Sequence, residues 1–214
     1  MLVEKNRFVE AVTEAIKGAK DRNFTESIEI AVNLRNLDLK KPENRLDSIV
    51  TLPHGLGRAR NVAIFAGGET ALKAQESDVL IISPDEIGDL ADDKKKMKAI
   101  AKDNHFFIAE APLMPQIGKK LGPVLAPRGK IPQPIQPLSD PNPVIEKLKK
   151  SIKVRTKDRS TFHSPVGSKT MDPESVAENA MEVIRVVEDK YDNASQYLKS
   201  VYIKTTMGPA VKVV

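Results

Sequence analysis

The strongest constraint on how this chain can fold is a change of hydrophobic pattern that occurs and then reverses. In residues 24–36, "FTESIEIAVNLRN", Ile28, Ile30, Val32 and Leu34 alternate with Ser27, Glu29, Ala31 and Asn33. A period of two marks a strand buried on one face only. From Arg58 the style changes to short continuous apolar runs, "NVAIFA", "DVLIIS" and "HFFIAEA", separated by stretches with helical spacing. Strands that are apolar throughout and alternate with helices imply a small parallel α/β sheet covered on both faces. After Ser151 the first style returns, ending in Val201, Ile203 and Thr205 opposed to Tyr202, Lys204 and Thr206. The expected architecture is therefore a discontinuous α+β domain, residues 1–53 plus 154–214, with an antiparallel sheet and helices. It carries an inserted α/β Rossmann-like domain at residues 54–153. The two crossings, Leu52 to Gly57 and Ser151 to Lys153, would serve as a hinge.

Individual elements follow from the same rules. Phe8, Val9, Val12, Ala15, Ile16 and Ala19 recur at helical spacing. Asp172 and Pro173 fit the cap and first position of a helix whose inner face is Val176, Ala180, Ile184 and Val187. "LDSIVTLP" and "IKVRT" read as strands, and Ser83, Pro84 and Glu86 as a capping box with proline at the first helical position. "GPVLAPRGKIPQPIQPLSDPNP" is too rich in proline for a helix or central strand, and a short helix, "VIEKLKK", follows it. "DRSTFHSPVGSK" is expected to be a loop or hairpin. At the end of the chain, Gly208 and Pro209 interrupt a strand, which implies a bulge, an edge, or room for something to approach.

Composition narrows the function. With no cysteine there is no disulfide framework, thiol nucleophile or Cys-based zinc site, which suits a reducing, cytoplasmic setting. Residues 1–20 are charged and amphipathic, so neither a signal peptide nor a membrane span is expected. The histidines, His54, His105 and His163, are too scattered for a metal site or a catalytic constellation. A net charge of +5 hints at an anionic partner. Divided at the expected boundaries, the flanks carry 18 basic against 17 acidic residues and the insert 16 against 12. A flanking domain so balanced would have to bind RNA by shape, ribose contacts and hydrogen bonds. Low aromatic content argues against serial base stacking. A lysine run, "KKKMK", reads as a solvated helix face, whereas Arg128 and Lys130 between turns are better placed for a partner. The Gly67-Gly68 turn between strand and helix leaves open a rival reading, a nucleotide-binding α/β enzyme, although it lacks both phosphate-loop patterns.

Five collinear motifs, "RNFTESIEI", "LPHGLGR", "GKKLGPVLAPRGKIP", "FHSPVGS" and "SVYIKTTMGP", resemble the family of large-subunit ribosomal protein one, the lateral exit-site stalk protein, in its archaeal form. The resemblance spans essentially the whole chain. It implies a non-enzymatic ribonucleoprotein component, monomeric when free and ribosome-associated in the cytoplasm, with no cofactor, metal or catalytic residue. The implied partners are large-subunit ribosomal RNA, exit-site transfer RNA and the protein's own messenger, whose translation it would repress. Carried over by motif, the RNA surface would comprise Phe24, Ser27, Glu29, His163, Ser200, Thr206, Met207, Gly208 and Pro209. Many bacterial members have lysine where this chain has Asn23. On that reading Thr206, on the outward strand face, offers its hydroxyl to a ribose, Met207 offers a compliant apolar surface, and Gly208 keeps side chains out of the way of RNA. Without the motifs, an unliganded bulge would explain the same residues.

Overall fold

The computed structural model describes residues 4–58, 60–156, 159–191 and 194–214. The chain opens with α1 (Lys5–Lys17), β1 (Ser27–Leu34) and β2 (Asp47–Thr51). A central run follows: β3 (Val62–Phe65), α2 (Gly68–Gln75), β4 (Leu80–Ile82), α3 (Glu86–Asp92), α4 (Lys94–Asp103), β5 (Phe106–Glu110), α5 (Met114–Lys120), α6 (Gly122–Leu125), β6 (Gln133–Ile135) and α7 (Asn142–Lys149). The chain closes with β7 (Ser151–Arg155), β8 (Thr161–Ser168), α8 (Pro173–Lys190), α9 (Ala194–Tyr197), β9 (Leu198–Thr205) and β10 (Ala210–Lys212). No helix among the described residues is long and apolar enough to cross a membrane.

The discontinuous unit is built on an antiparallel sheet in the order β10-β9-β1-β8, with β2 and β7 forming a separate antiparallel pair. Ile28, Ile30, Val32 and Leu34 of β1 are buried, as the alternation requires, together with Val201 and Ile203 of β9. On that face lie α1, through Phe8, Ala11, Val12 and Ala15, and α8, through Val176, Ala180, Ile184 and Val187. Removing a large side chain such as Phe8 from this core would cost roughly 3–5 kcal/mol, a large share of the stability of any domain.

The insert is a four-stranded parallel sheet, β4-β3-β5-β6. Its two central strands are buried on both sides because their residues alternate between two cores. Ala63, Phe65, Phe107 and Ala109 meet α3 to α6 on one side. Val62, Ile64, Phe106 and Ile108 meet α2 and α7 on the other. This three-layer arrangement explains why β3 and β5 read as continuous apolar runs.

Several local expectations are corrected. The stretch read as a loop or hairpin at 158–169 contains β8; Lys157 and Asp158 lie outside the described residues. Pro165 is tolerated because β8 is an edge strand, and a register shift lies at Ile28/Glu29 opposite it. In the proline-rich segment, Pro123 sits in the first turn of α6, where its missing N–H costs no helical bond. Pro134 lies in β6, again an edge. At 83–86 only one arm of the capping box forms, Ser83 N–H donating to the Glu86 carboxylate at 3.0 Å, and the helix starts at Glu86.

The structure divides into Met1–Arg58 with Lys150–Val214, and Ala59–Lys149. Residues 54–58 and 150–153 therefore belong to the discontinuous unit, against the expected bounds. Leu52 N–H donates to Lys150 O, and β7 pairs with β2 from Ser151 onward. Buried Asn179 of α8 fixes the exit: its Nδ2 donates to Gly55 O (2.7 Å) and Val166 O (2.8 Å), and its Oδ1 accepts from His54 N (3.2 Å). Gly55 and Gly57 have φ of +62° and +70°, which side chains adopt only at a cost, so these two positions make the sharp exit possible. The His54 ring pairs with Glu178, which also holds Lys5 at 2.8 Å. Glu178 is lowered to about 2, mainly by its hydrogen bond with Lys5 and then by that with His54. The new bounds also move charge. Arg58, Lys150 and Lys153 change sides, leaving the discontinuous unit with 21 basic against 17 acidic residues and the insert with 13 against 12.

Replacing Asn179 with alanine would leave the Gly55 and Val166 carbonyls without this donor. We expect a stability loss of about 1–3 kcal/mol for each buried group left unsatisfied. Urea unfolding should show a lower midpoint with an unchanged slope; an unchanged midpoint would mean that water replaces the amide.

Candidate nucleic-acid interface

The face of the antiparallel sheet turned away from α1 and α8 is polar. Its cross-strand rows are set by register. Glu29 stands opposite Lys204 and Pro165, Ala31 opposite Tyr202 and His163, and Asn33 opposite Ser200 and Thr161. The last row is internally bonded: Asn33 Nδ2 donates to Ser200 Oγ at 2.9 Å, and Thr161 Oγ1 donates to Asn33 Oδ1 at 2.7 Å. Ser200 is thereby held and buried, at 7% exposure. It lies six residues along β9 from Thr206, about 20 Å at the rise of an extended strand. The structure therefore sets Ser200 apart from Thr206 and the turn, and places it one row beyond His163 on the same face. His163 is exposed, in the row beyond Glu29.

The remaining residues gather at one end of the sheet. Thr206 N–H donates to Ser27 O at 3.0 Å, Ser27 N–H donates to Thr206 Oγ1 at 3.2 Å, and the Thr206 hydroxyl lies 3.2 Å from Ser27 O as its donor. Lys204 Nζ adds a bond to Thr206 O at 3.0 Å. The interruption at 206–209 is a hairpin turn and not a bulge, because β10 folds back antiparallel on β9 with Ala210 opposite Lys204. Gly208 N–H closes the turn on Thr205 O at 3.3 Å.

These contacts change the reasons assigned to two residues. The Thr206 hydroxyl already serves the fold as both acceptor and donor, which leaves only its second lone pair for a ribose hydroxyl. A Cβ on Gly208 would fall 2.3 Å from Thr205 Oγ1 and 3.5 Å from Ala19 Cβ, so glycine is required by packing from within. Pro209 presses against the end of α1, where a Cβ on Gly18 would meet its Cγ at 3.0 Å.

Beneath the turn sits Glu26, which sequence reasoning missed. Its side chain is 1% exposed and pairs with Arg22 Nε at 2.7 Å. The Thr205 hydroxyl is the main influence lowering its pKa, with the Met207 N–H and Arg22 acting in the same direction against burial. The one signal available in sequence was the i,i+4 spacing of Arg22 and Glu26. Glu26 O also accepts from Lys169 N (2.9 Å), and Lys169 Nζ pairs with Asp21 at 3.3 Å. Residues 20–26 and 169–170 thus frame a cleft of about 490 Å³. Phe24, at 54% exposure, borders it, and Met207 stands out from the turn at 60%. These are the most exposed large apolar side chains of the discontinuous unit among the described residues. Arg128 and Lys130, by contrast, serve the insert's own backbone. Arg128 Nη1 donates to Val124 O at 3.0 Å, and Lys130 Nζ to Ala101 O and Asn104 O at 2.6 and 2.7 Å.

Residues 15–209 match the model of the ribosomal protein L1p/L10e family. The chain is 60% identical to the large ribosomal subunit protein uL1 of Archaeoglobus fulgidus over 215 residues, the full length of both. It is 48% identical to the protein of the same name from Methanocella arvoryzae, over 96% of this chain and 97% of that one. To that from Thermococcus kodakarensis it is 45% identical, over 100% and 99%.

Two expected outcomes follow from the junction. Thr206→Val keeps the strand-compatible shape but removes both hydroxyl bonds, so thermal unfolding should show a loss of about 1–2 kcal/mol. An unchanged unfolding temperature would show that the hydroxyl is dispensable to the fold. Glu26 has a lowered pKa in the folded state, so its contribution is fully present above the ordinary glutamate pKa and is lost as pH falls through the lowered value. Glu26→Gln should therefore flatten the decline in unfolding midpoint between neutral pH and about pH 3. An identical decline would assign it to other carboxylates.

Proposed function

Because the chain belongs to the ribosomal protein L1p/L10e family, a structural and non-enzymatic one, we propose that it is a component of the large ribosomal subunit that binds ribosomal RNA through the end of its antiparallel sheet. The reading rests above all on Phe24 and Met207. Large apolar side chains left in water on either side of a rigid, hydrogen-bonded junction have no role in the core, and sugars and bases offer them matching surface. Ser27, Glu29 and His163 supply polar contacts beside them, and Gly208 and Pro209 fix the shape of the turn. The charge excess of the discontinuous unit supports attraction to phosphates, although it is small enough that shape must do much of the selecting.

The same surface would recognise a copy of the ribosomal site in the protein's own messenger, giving translational repression. Assistance to exit-site transfer RNA release is the further role proposed for the ribosome-bound protein. Competition between the messenger leader and the ribosomal RNA fragment for one protein molecule tests the repression step.

The principal test is the affinity of the full chain for a structured large-subunit ribosomal RNA fragment at several salt concentrations. Phe24→Ala should weaken binding by about 1–3 kcal/mol, the scale of one aromatic stacking contact. The salt slope should be unchanged, because no charge is removed, and thermal stability should hold, because Phe24 is exposed. Undiminished affinity would place the RNA surface elsewhere.

A further inference from the structure

The segment "GKKLGPVLAPRGKIP" contributes nothing to the proposed RNA surface, yet it shapes a distinct groove in the insert. Met114, Ile117, Leu125, Ala126, Ile131 and Pro132 line a cavity of about 250 Å³, smaller than the ~300–1,000 Å³ usual for cofactor pockets. Ile131 is 62% exposed at its edge. Gly118 and Gly122, one helical turn apart, also line it. Neither has a left-handed backbone, and a Cβ built on either meets nothing within 4 Å. Gly118 lies inside α5, where glycine costs about 0.5–1 kcal/mol relative to alanine. The fold itself therefore gives no reason for the bare backbone there.

Charge indicates what would approach. From Ala111 to Pro132 the chain has four basic residues, Lys119, Lys120, Arg128 and Lys130, and no acidic one; carboxylates nearby in the fold include Glu110, just before this stretch, and Glu86, Asp89 and Asp92 of α3, which packs against α5. Lys130 is committed to the carbonyls at the end of α4, and Lys120 Nζ lies beside Gly88 of α3. Lys119 is exposed beside Gly118, and Arg128, also exposed, uses Nη1 on Val124 O while its guanidinium has further donors to offer. The walls are aliphatic, without an aromatic platform for a base, so they suit apolar side chains better than nucleotides. Pro132 and Pro134 remove N–H donors from the adjoining edge strand, which disfavours addition of a partner strand. We propose that this groove receives a short amphipathic helix of an acidic partner protein, its aliphatic anchors seated over Gly118 and Gly122 and its Asp or Glu residues meeting Lys119 and Arg128.

The test uses the full chain with labelled methionine and isoleucine methyl groups. The probe is a synthetic helical peptide with leucines at i and i+4 flanked by glutamates. Its counterpart has lysines in place of the glutamates. The acidic peptide should shift the methyl signals of Met114, Ile117 and Ile131, and the basic one should bind at least roughly tenfold more weakly. Gly118→Leu fills the groove from open space, so it should abolish these shifts while leaving ribosomal RNA affinity and the unfolding temperature intact. Gly118→Ala, with a smaller side chain and better helix propensity, provides a second folded variant that should retain weakened binding. No shifts with the acidic peptide, or shifts indifferent to Gly118→Leu, would overturn the proposal. So would the same methyl shifts produced by ribosomal RNA alone, or by raising the protein concentration without peptide; these would assign the groove to RNA or to a second copy.

Discussion

Strand β1 completes its sheet only by taking both neighbours from the far end of the chain, and that pairing governs everything else. Ser27 meets Thr206 across 179 positions, and Ile28 to Leu34 are flanked by β8 and β9 and closed over by α1 and α8. The entropy of closing so long a loop grows only with the logarithm of its length, so a whole domain can sit inside it. The condition is that the insert folds on its own and returns its ends close together. The parallel sheet gives the insert two cores of its own, as the first condition asks. The Leu52 to Lys150 bond and the β2–β7 pair meet the second.

That topology also decides where charge resides. The lysines and arginines at the crossings follow the backbone bonds that hold them, so Arg58, Lys150 and Lys153 belong with the antiparallel sheet. A division drawn from pattern alone put the excess in the insert. With the structural division the discontinuous unit holds nearly all of it, so long-range attraction to an anionic partner would come from that unit.

What was legible in the sequence was whatever periodicity encodes. The alternation of β1, the stripes of α1 and α8 and the fully apolar β3 and β5 each state both element and burial, and the return of alternation after Ser151 exposed the insertion. Pro165, Pro123 and Pro134 misled because the penalty for proline depends on position: an edge strand or a first helical turn has no bond for it to break. The site was less legible for a different reason. Glu26 beside Met207, Thr206 on Ser27 and Gly208 against Ala19 are pairings across most of the chain, and no local pattern announces them.

Glycine shows how the interior and the outside can be told apart. Gly208 is half-buried, and its missing side chain is explained by a neighbour 2.3 Å from where a Cβ would stand. Gly118 is in open space, where a side chain would be welcome to the helix. The first kind of residue carries little information about partners, since the fold demands it with or without one. The same holds for Ser200, bonded within its row, and for the Thr206 hydroxyl. Residues that the fold does not account for are the better guides to function. By that criterion Phe24 and Met207 identify one surface of the discontinuous unit, and Gly118, Gly122 and Ile131 identify another in the insert, with aliphatic walls that call for a chemically different occupant.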